Sequence, residues 1–263
     1  MSRITDFMYE FKMSFAGICV AVRCRYPQVR ELCRDYLTQT GKPDFSFEVS
    51  DAELTTEAAR LPNEAKAFPW FTEFNLIFRG VMSAAPYFGV LAVHGAAISY
   101  CDAKGGHPDA LGYIFTAPSG TGKSTHIKLW KKYLAGKVDI INGDKPVISF
   151  SGGDILISST PWSGKEGWQR NCSVRLGGVC ILTRGKENTV KRVKPGECLH
   201  ILMNQIFVPV SDPGAASLSL ELFDRLCRSW VPFYLLSCDV SEEAVAASFS
   251  ALTGNRYERT RQL

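Results

Sequence analysis

An α/β fold is predicted for this chain, and three observations predict it. Short runs rich in Val, Ile, Phe and Cys alternate along the length with longer stretches whose apolar residues recur at helical spacing. One strand-like segment, Gly112 to Phe115, runs into a glycine-containing loop and then into a helical stretch. The composition, 46% hydrophobic and 21% charged over 263 residues, suits a globular chain with a large domain and room for a smaller companion.

Taken in order, Ser14 to Cys24 reads as a strand, Tyr26 to Leu37 as a helix and Phe45 to Val49 as an alternating second strand. Ala52 to Arg60 is a weak helix ended near Pro62. Phe71 to Phe88 is a stronger one, with Phe71, Phe74, Leu76, Ile77 and Val81 on an apolar side. This first part, residues 1–89, is expected to form a small α+β extension serving as scaffold or recognition surface. It holds no glycine-rich loop and no clustered catalytic side chains.

The texture changes at Gly89. Val90 to Tyr100 and Gly112 to Phe115 read as strands of a hairpin across a turn-rich loop, in which His107 is expected to be solvated. Lys123 to Leu134 is a helix stopped by Gly136, and Val138 to Ile141 another strand. Val147 to Phe150 and Ile155 to Ser158 form a second hairpin. Strands follow at Val174 to Thr183 and Thr189 to Val193, helices at Glu197 to Ile206 and Ala215 to Trp230, a strand at Phe233 to Cys238 and a helix at Glu242 to Leu252. Residues 256–263 form a basic tail.

A net charge of +4 is too mild to point to nucleic acid. No uninterrupted apolar run reaches the roughly 18 residues of a spanning helix, and Met1 to Lys12 lacks the apolar stretch of a secretory signal. A cytoplasmic protein without a membrane partner is expected. The nine cysteines are scattered without any Cys-x-x-Cys, so they read as reduced thiols packed as small hydrophobes rather than as ligands or disulfides.

The segment Ala117-Pro118-Ser119-Gly120-Thr121-Gly122-Lys123-Ser124 follows a strand and opens a helix, the context a phosphate-binding loop requires. Glycines at 120 and 122 let successive N–H groups turn toward phosphate oxygens, and the helix N-terminus adds its partial positive charge. Ser119 through Thr125 are therefore candidate nucleotide-binding residues. Lys123 is placed to reach the β- and γ-phosphates, and the Ser124 hydroxyl to hold magnesium. The motif's first glycine is replaced by Ala117. Magnesium also wants a carboxylate, and Asp144, just past the strand ending at Ile141, is the candidate.

With His94-Gly95 before the loop, the loop itself and Ile140-Ile141-Asn142-Gly143-Asp144 after the helix, the sequence resembles the HPr kinase and ATP-dependent phosphoenolpyruvate carboxykinase group, the kinase side more closely. The resemblance covers roughly Val90 to Cys238. It implies that residues 90–255 form an α/β nucleotide-binding domain of that P-loop type with a mixed sheet. It also implies an ATP- and Mg2+-dependent phosphotransferase whose acceptor is a hydroxyl, plausibly a serine of a small protein or peptide, and a possible homo-oligomer. By position His94 would lie beside the reacting phosphates, and Lys165, in the loop Thr160 to Glu166, would neutralise charge on the transferring group. The family's Asp-Asp pair is Gly143-Asp144 here, so the acid expected to take the acceptor's proton is missing; Glu166 is a candidate replacement. Two other readings stand beside this one. The first is a nucleotide-binding regulatory module without kinase chemistry, favoured by Ala117 and Gly143. The second, weaker one is a carboxykinase-like enzyme, in a chain about half the usual length of that class.

Overall fold

The computed structural model describes residues 9–62, 68–102 and 110–259. Twelve strands and seven α-helices among these residues form a mixed α/β structure with two sheets.

The larger sheet has nine strands. Its path runs from β4 (Val90–Ala92) through β8 (Val147–Ser151), β9 (Asp154–Ser158), β10 (Ser173–Arg184), β6 (Leu111–Thr116) and β5 (Ala96–Tyr100) to β7 (Val138–Asn142). β12 (Phe233–Cys238) lies parallel to the second half of β10 and carries β11 (Thr189–Val193) antiparallel on its far edge. The ends of the main path are connected by the chain itself. β4 leads directly into β5, and β7 into β8, so two long strands pair with each other at both ends of the path and the sheet curls back on itself.

These two long strands form one antiparallel ribbon. Val90 to Ala92 pairs with Ser149 to Val147, and Ala97 pairs with Asn142 in the same register. Between them the Val93 N–H donates to the Pro146 carbonyl and the Gly95 N–H to the Asp144 carbonyl, each at 3.0 Å. His94 and Asp144 thus sit at the level where both strands bend. On the other edge of the bend the His94 N–H donates to the Gln205 carbonyl at 2.7 Å, which brings the chain after α5 (Leu199–Met203) alongside.

Alternation along the strands separates two apolar clusters. Ile114 of β6, with Leu91, Ile148, Ile157 and Leu176, packs against α6 (Pro213–Cys227) through Phe223 and Leu226. Tyr113 and Phe115 point the other way, onto α4 (Lys123–Tyr133) and α7 (Glu242–Thr253) through Ile127, Trp130 and Phe249. Both α6 and α7 have side-chain N-caps, Asp212 and Ser241, and α7 ends on left-handed Gly254.

The smaller sheet is β1 (Tyr9–Phe15), β2 (Ile18–Cys24) and β3 (Phe45–Glu48). With α1 (Pro27–Leu32), α2 (Asp51–Arg60) and α3 (Pro69–Ala84) it encloses a third cluster around Met13, Val20, Val22 and Ile77. α2 starts with a capping box between Ser50 and Glu53. The carboxylate of Glu73, fully buried on α3, accepts from the backbone N–H groups of Arg25 and Tyr26 and from the Arg25 guanidinium, which ties the helix to β2. Val90, Ala92, Val147 and Trp162 belong to this same cluster. The N-terminal region therefore packs directly on the ribbon that carries His94 and Asp144.

Three expectations change. Ser14 to Cys24 is not one strand: Ala16 and Gly17, both at positive φ, turn the chain, and β1 and β2 form a hairpin. An Ala-Gly turn lacks the usual Asn or Asp, and the apolar alternation runs through it unbroken. Val90 to Tyr100 divides at the bend around His94, and only its second part pairs with β6. The helix read from Glu197 to Ile206 is a 3-10 turn, Pro195–Cys198, followed by the single turn of α5. Cys24, Cys33, Cys180, Cys198 and Cys238 are buried thiols, as expected of small apolar side chains. His107 lies outside the described residues, as do 1–8 and 260–263. No helix among the described residues is long and apolar enough to cross a membrane.

Candidate phosphate-binding site

β6 delivers the chain to the loop and α4 takes it away. Gly120 and Gly122 adopt φ of +78° and +123°, a region closed to most side chains, so the loop folds tightly under the helix. Ala117 needs no such freedom. Its φ is ordinary and its methyl group is buried in the cluster beneath α4, which explains how the loop dispenses with its first glycine. The Lys123 side chain, only 7% exposed, curls back over the loop and donates to the carbonyls of Ala117 at 2.9 Å and Pro118 at 3.4 Å. Burial holds its ammonium below the ordinary lysine value. α4 begins at Gly122 with no side-chain cap, which leaves its first-turn amides with hydrogen-bonding capacity for an anion. Arg184, at the end of β10, fixes the loop from outside by donating to the carbonyls of Gly120 and Thr121.

Opposite stands the bend of the ribbon. Asn142 is fully buried and organises the turn: its Oδ1 accepts from the N–H groups of Asp144 (2.9 Å) and Lys145 (2.8 Å), while its Nδ2 donates to the Thr160 carbonyl at 2.9 Å. Asp144 Oδ1 lies 3.4 Å from His94 Nε2, and its Oδ2 lies 3.0 Å from Lys145 Nζ. On the far side of the imidazole, Nδ1 meets Gln205 Oε1 at 2.8 Å. A carbonyl oxygen only accepts, so the ring carries its proton on Nδ1 and turns Nε2 toward Asp144. Burial, reinforced by Lys123 and Lys145, holds the imidazole below its ordinary value.

The segment Thr160 to Trp168 closes the third side. Gly143 and Gly164 let it approach: a Cβ on Gly143 would stand 2.9 Å from the Ser163 carbonyl oxygen, and one on Gly164 2.9 Å from Asp144 Cβ. A side chain at position 143 would thus run into the backbone of this segment. The segment is anchored by Trp162, whose indole stacks on Phe74, meets Phe15 and Phe78 edge-on, and donates to the Phe74 carbonyl at 3.0 Å. Tyr36 donates to Ser159 Oγ at 2.7 Å just before it.

These walls enclose a cavity of about 460 Å3. His94, Ser119, Gly120, Gly122, Lys123, Ser124, Thr125, Asp144, Lys165 and Glu166 all line it, so the structure brings together residues from four separate stretches of sequence. Thr121 does not line it; its hydroxyl donates back to the Pro118 carbonyl and closes the loop. Glu166 Oε2 is 3.4 Å from Lys128 Nζ, an ion pair that competes with any role as a base. Lys165 is exposed and has no carboxylate partner among the described residues. His126 faces the core: its Nε2 is 3.0 Å from Ser248 Oγ, Trp130 Nε1 donates to both, and burial pushes its titration down to about 4.

Gln205 and Arg184 were not among the sequence candidates. Arg184 had a faint signal, a basic residue directly after a strand. Gln205 had none, because only the return of the chain past β4 brings it to His94. Among the described residues no three His, Cys, Asp or Glu side chains cluster to hold a metal by themselves. The Asp144 carboxylate and the Ser124 hydroxyl, both lining the cavity, are donors that suit magnesium, which prefers hard oxygen ligands and keeps several waters. No family model matches this chain, and no curated protein is similar to it.

Proposed function

We propose that the chain is an ATP- and magnesium-dependent phosphotransferase that moves the γ-phosphate to a hydroxyl. The observation that supports this best is the shared cavity: a glycine-bent loop with its lysine, the Asp144 carboxylate, an imidazole and the Lys165 side chain all face one space.

In this reading the loop amides and Lys123 bind the β- and γ-phosphates, and Ser124 and Asp144 hold magnesium, which when bound neutralises phosphate charge. Lys165 flanks the transferring group and stabilises the charge that develops on it, while His94, fixed by Gln205, borders it on the Asp144 side. The acceptor oxygen bonds to the γ-phosphorus as the bond from that phosphorus to the bridging oxygen breaks, and ADP leaves with the electron pair. The acceptor proton passes to water, since Gly143 supplies no second carboxylate. Positioning and electrostatics, rather than base catalysis, carry the rate.

A second reading, a nucleotide-gated binding module without transfer, is favoured by one observation: the Ser163 carbonyl fills the place where a catalytic base would stand. Incubation with γ-labelled ATP and magnesium separates the two. Label on an acceptor that is lost in both Lys123→Ala and Asp144→Asn supports transfer. Nucleotide binding that depends on Lys123, without release or transfer of the label, supports the module instead.

A further inference from the structure

A second cavity of about 670 Å3 lies against the phosphate cavity, and the two share Asp144, Ser163, Gly164 and Lys165 as a common wall. Its other walls come from the N-terminal region. One face of α3 supplies Trp70, Phe71, Phe74 and Phe78, and the floor is Trp162. The polarity is graded. At the inner end stand Asp144, Lys145 and Lys165, while the α3 face contributes no ionised group, only aromatic rings and the Asn75 amide. Glu31 and Arg34, on the opposite rim, neutralise each other at 2.8 Å.

We propose that this cavity is the acceptor groove, and that its occupant is a polypeptide segment carrying the reactive serine or threonine next to uncharged, bulky apolar residues. The proposal rests on the phosphotransferase reading and names its substrate class. Adjacency decides the location: an acceptor here lies against the transferring group across one shared wall, Asp144, Ser163, Gly164 and Lys165. Charge complementarity decides the chemistry, because an acidic flank laid on α3 would lose its hydration against rings that offer no counter-charge, and a basic flank would meet Lys145 and Lys165 at the inner end. A polypeptide is favoured over a small molecule because apolar surface continues outside the cavity. Phe68, 54% exposed and outside the lining, extends the aromatic strip beyond Phe71 toward the start of α3. A ligand confined to the cavity would leave that strip uncovered, whereas an extended chain covers it.

The experiment uses the full chain and fluorescent synthetic peptides of equal length, each with one central serine and with Leu/Phe, Glu or Lys flanks. Nucleotide binding, peptide binding and transfer from γ-labelled ATP are measured separately. Expected are binding and labelling of the Leu/Phe peptide at least roughly tenfold better than the others. Phe71→Asp, at a half-exposed position where folding is not at stake, should raise the peptide KM roughly tenfold while kcat stays close to that of the parent chain. No binding of the Leu/Phe peptide, equal use of all three, preference for charged flanks, or a KM unmoved by Phe71→Asp would each overturn the groove. A chain that binds the Leu/Phe peptide through Phe71 but transfers no label supports the groove and defeats the phosphotransferase reading.

Discussion

The two walls of the cavity at the glycine loop are built on different principles. The loop wall, Ala117 to Thr125, is made of consecutive residues whose shape comes from two glycines and a helix start. The opposite wall assembles Asp144, His94 and the segment Thr160 to Trp168 from distant parts of the chain, held by Asn142, Gln205 and above all by Trp162 within an N-terminal aromatic cluster. A local wall can be damaged without disturbing the fold. A wall assembled at long range cannot, because its geometry and the packing of another region are the same contacts.

Substitutions should separate the walls accordingly. The largest effect is expected for Trp162→Ala, which empties a buried site among three aromatic rings and leaves the Phe74 carbonyl without its donor. Loss of roughly 3–5 kcal/mol should lower the midpoint of thermal unfolding by roughly 6–20 °C. A melting curve like that of the parent chain would show that the second wall stands without its anchor.

The foundation of the loop wall should reveal itself in acid. His126, on the buried face of α4, is neutral in the folded chain down to about 4, whereas in the unfolded chain it takes up a proton near its ordinary value of 6.5. Acid therefore favours unfolding: stability is complete above about 6.5, begins to fall below it, and about 3 kcal/mol is gone once pH reaches the folded value. Denaturant titrations across that window should show the loss in the parent chain and a flatter acid limb in His126→Gln.

Lys165→Ala removes a cation that belongs to the assembled wall but holds nothing in place. Turnover should fall roughly a hundredfold with ATP affinity unchanged, and equal turnover would remove Lys165 from the chemistry. Arg184→Ala is the smallest change. It deletes two exposed hydrogen bonds to the loop carbonyls, worth about 1 kcal/mol together, and nucleotide affinity measured by titration should weaken roughly fivefold while the melting midpoint falls by no more than roughly 2–4 °C.

The same contrast explains what could be read in advance. The loop, its helix and the strand before it were legible because glycine spacing, lysine and strand-loop-helix order are local properties. Asp144 was legible by its place after an apolar strand. The role of residues 1–89 was not, because nothing in Phe74 or Phe78 announces that they receive Trp162 from beyond the phosphate loop. Gln205 escaped for the same reason. The Ala16-Gly17 turn escaped because its alternation is uninterrupted on both sides, so period alone shows two strands as one.

The uninterrupted register of the bent ribbon has an evolutionary side. His94 and Asp144 are fifty positions apart along the chain, yet their separation in space depends only on how two strands are paired. Turns between them, other than the loop Ala117 to Thr125 and the helix it opens, are free to grow or shrink over generations without moving one residue relative to the other. A single deletion within either strand would instead carry the imidazole or the carboxylate to the opposite face. Tolerance to length change should thus be generous in the connections and nearly absent in the eight residues from Val90 to Ala97 and their partners.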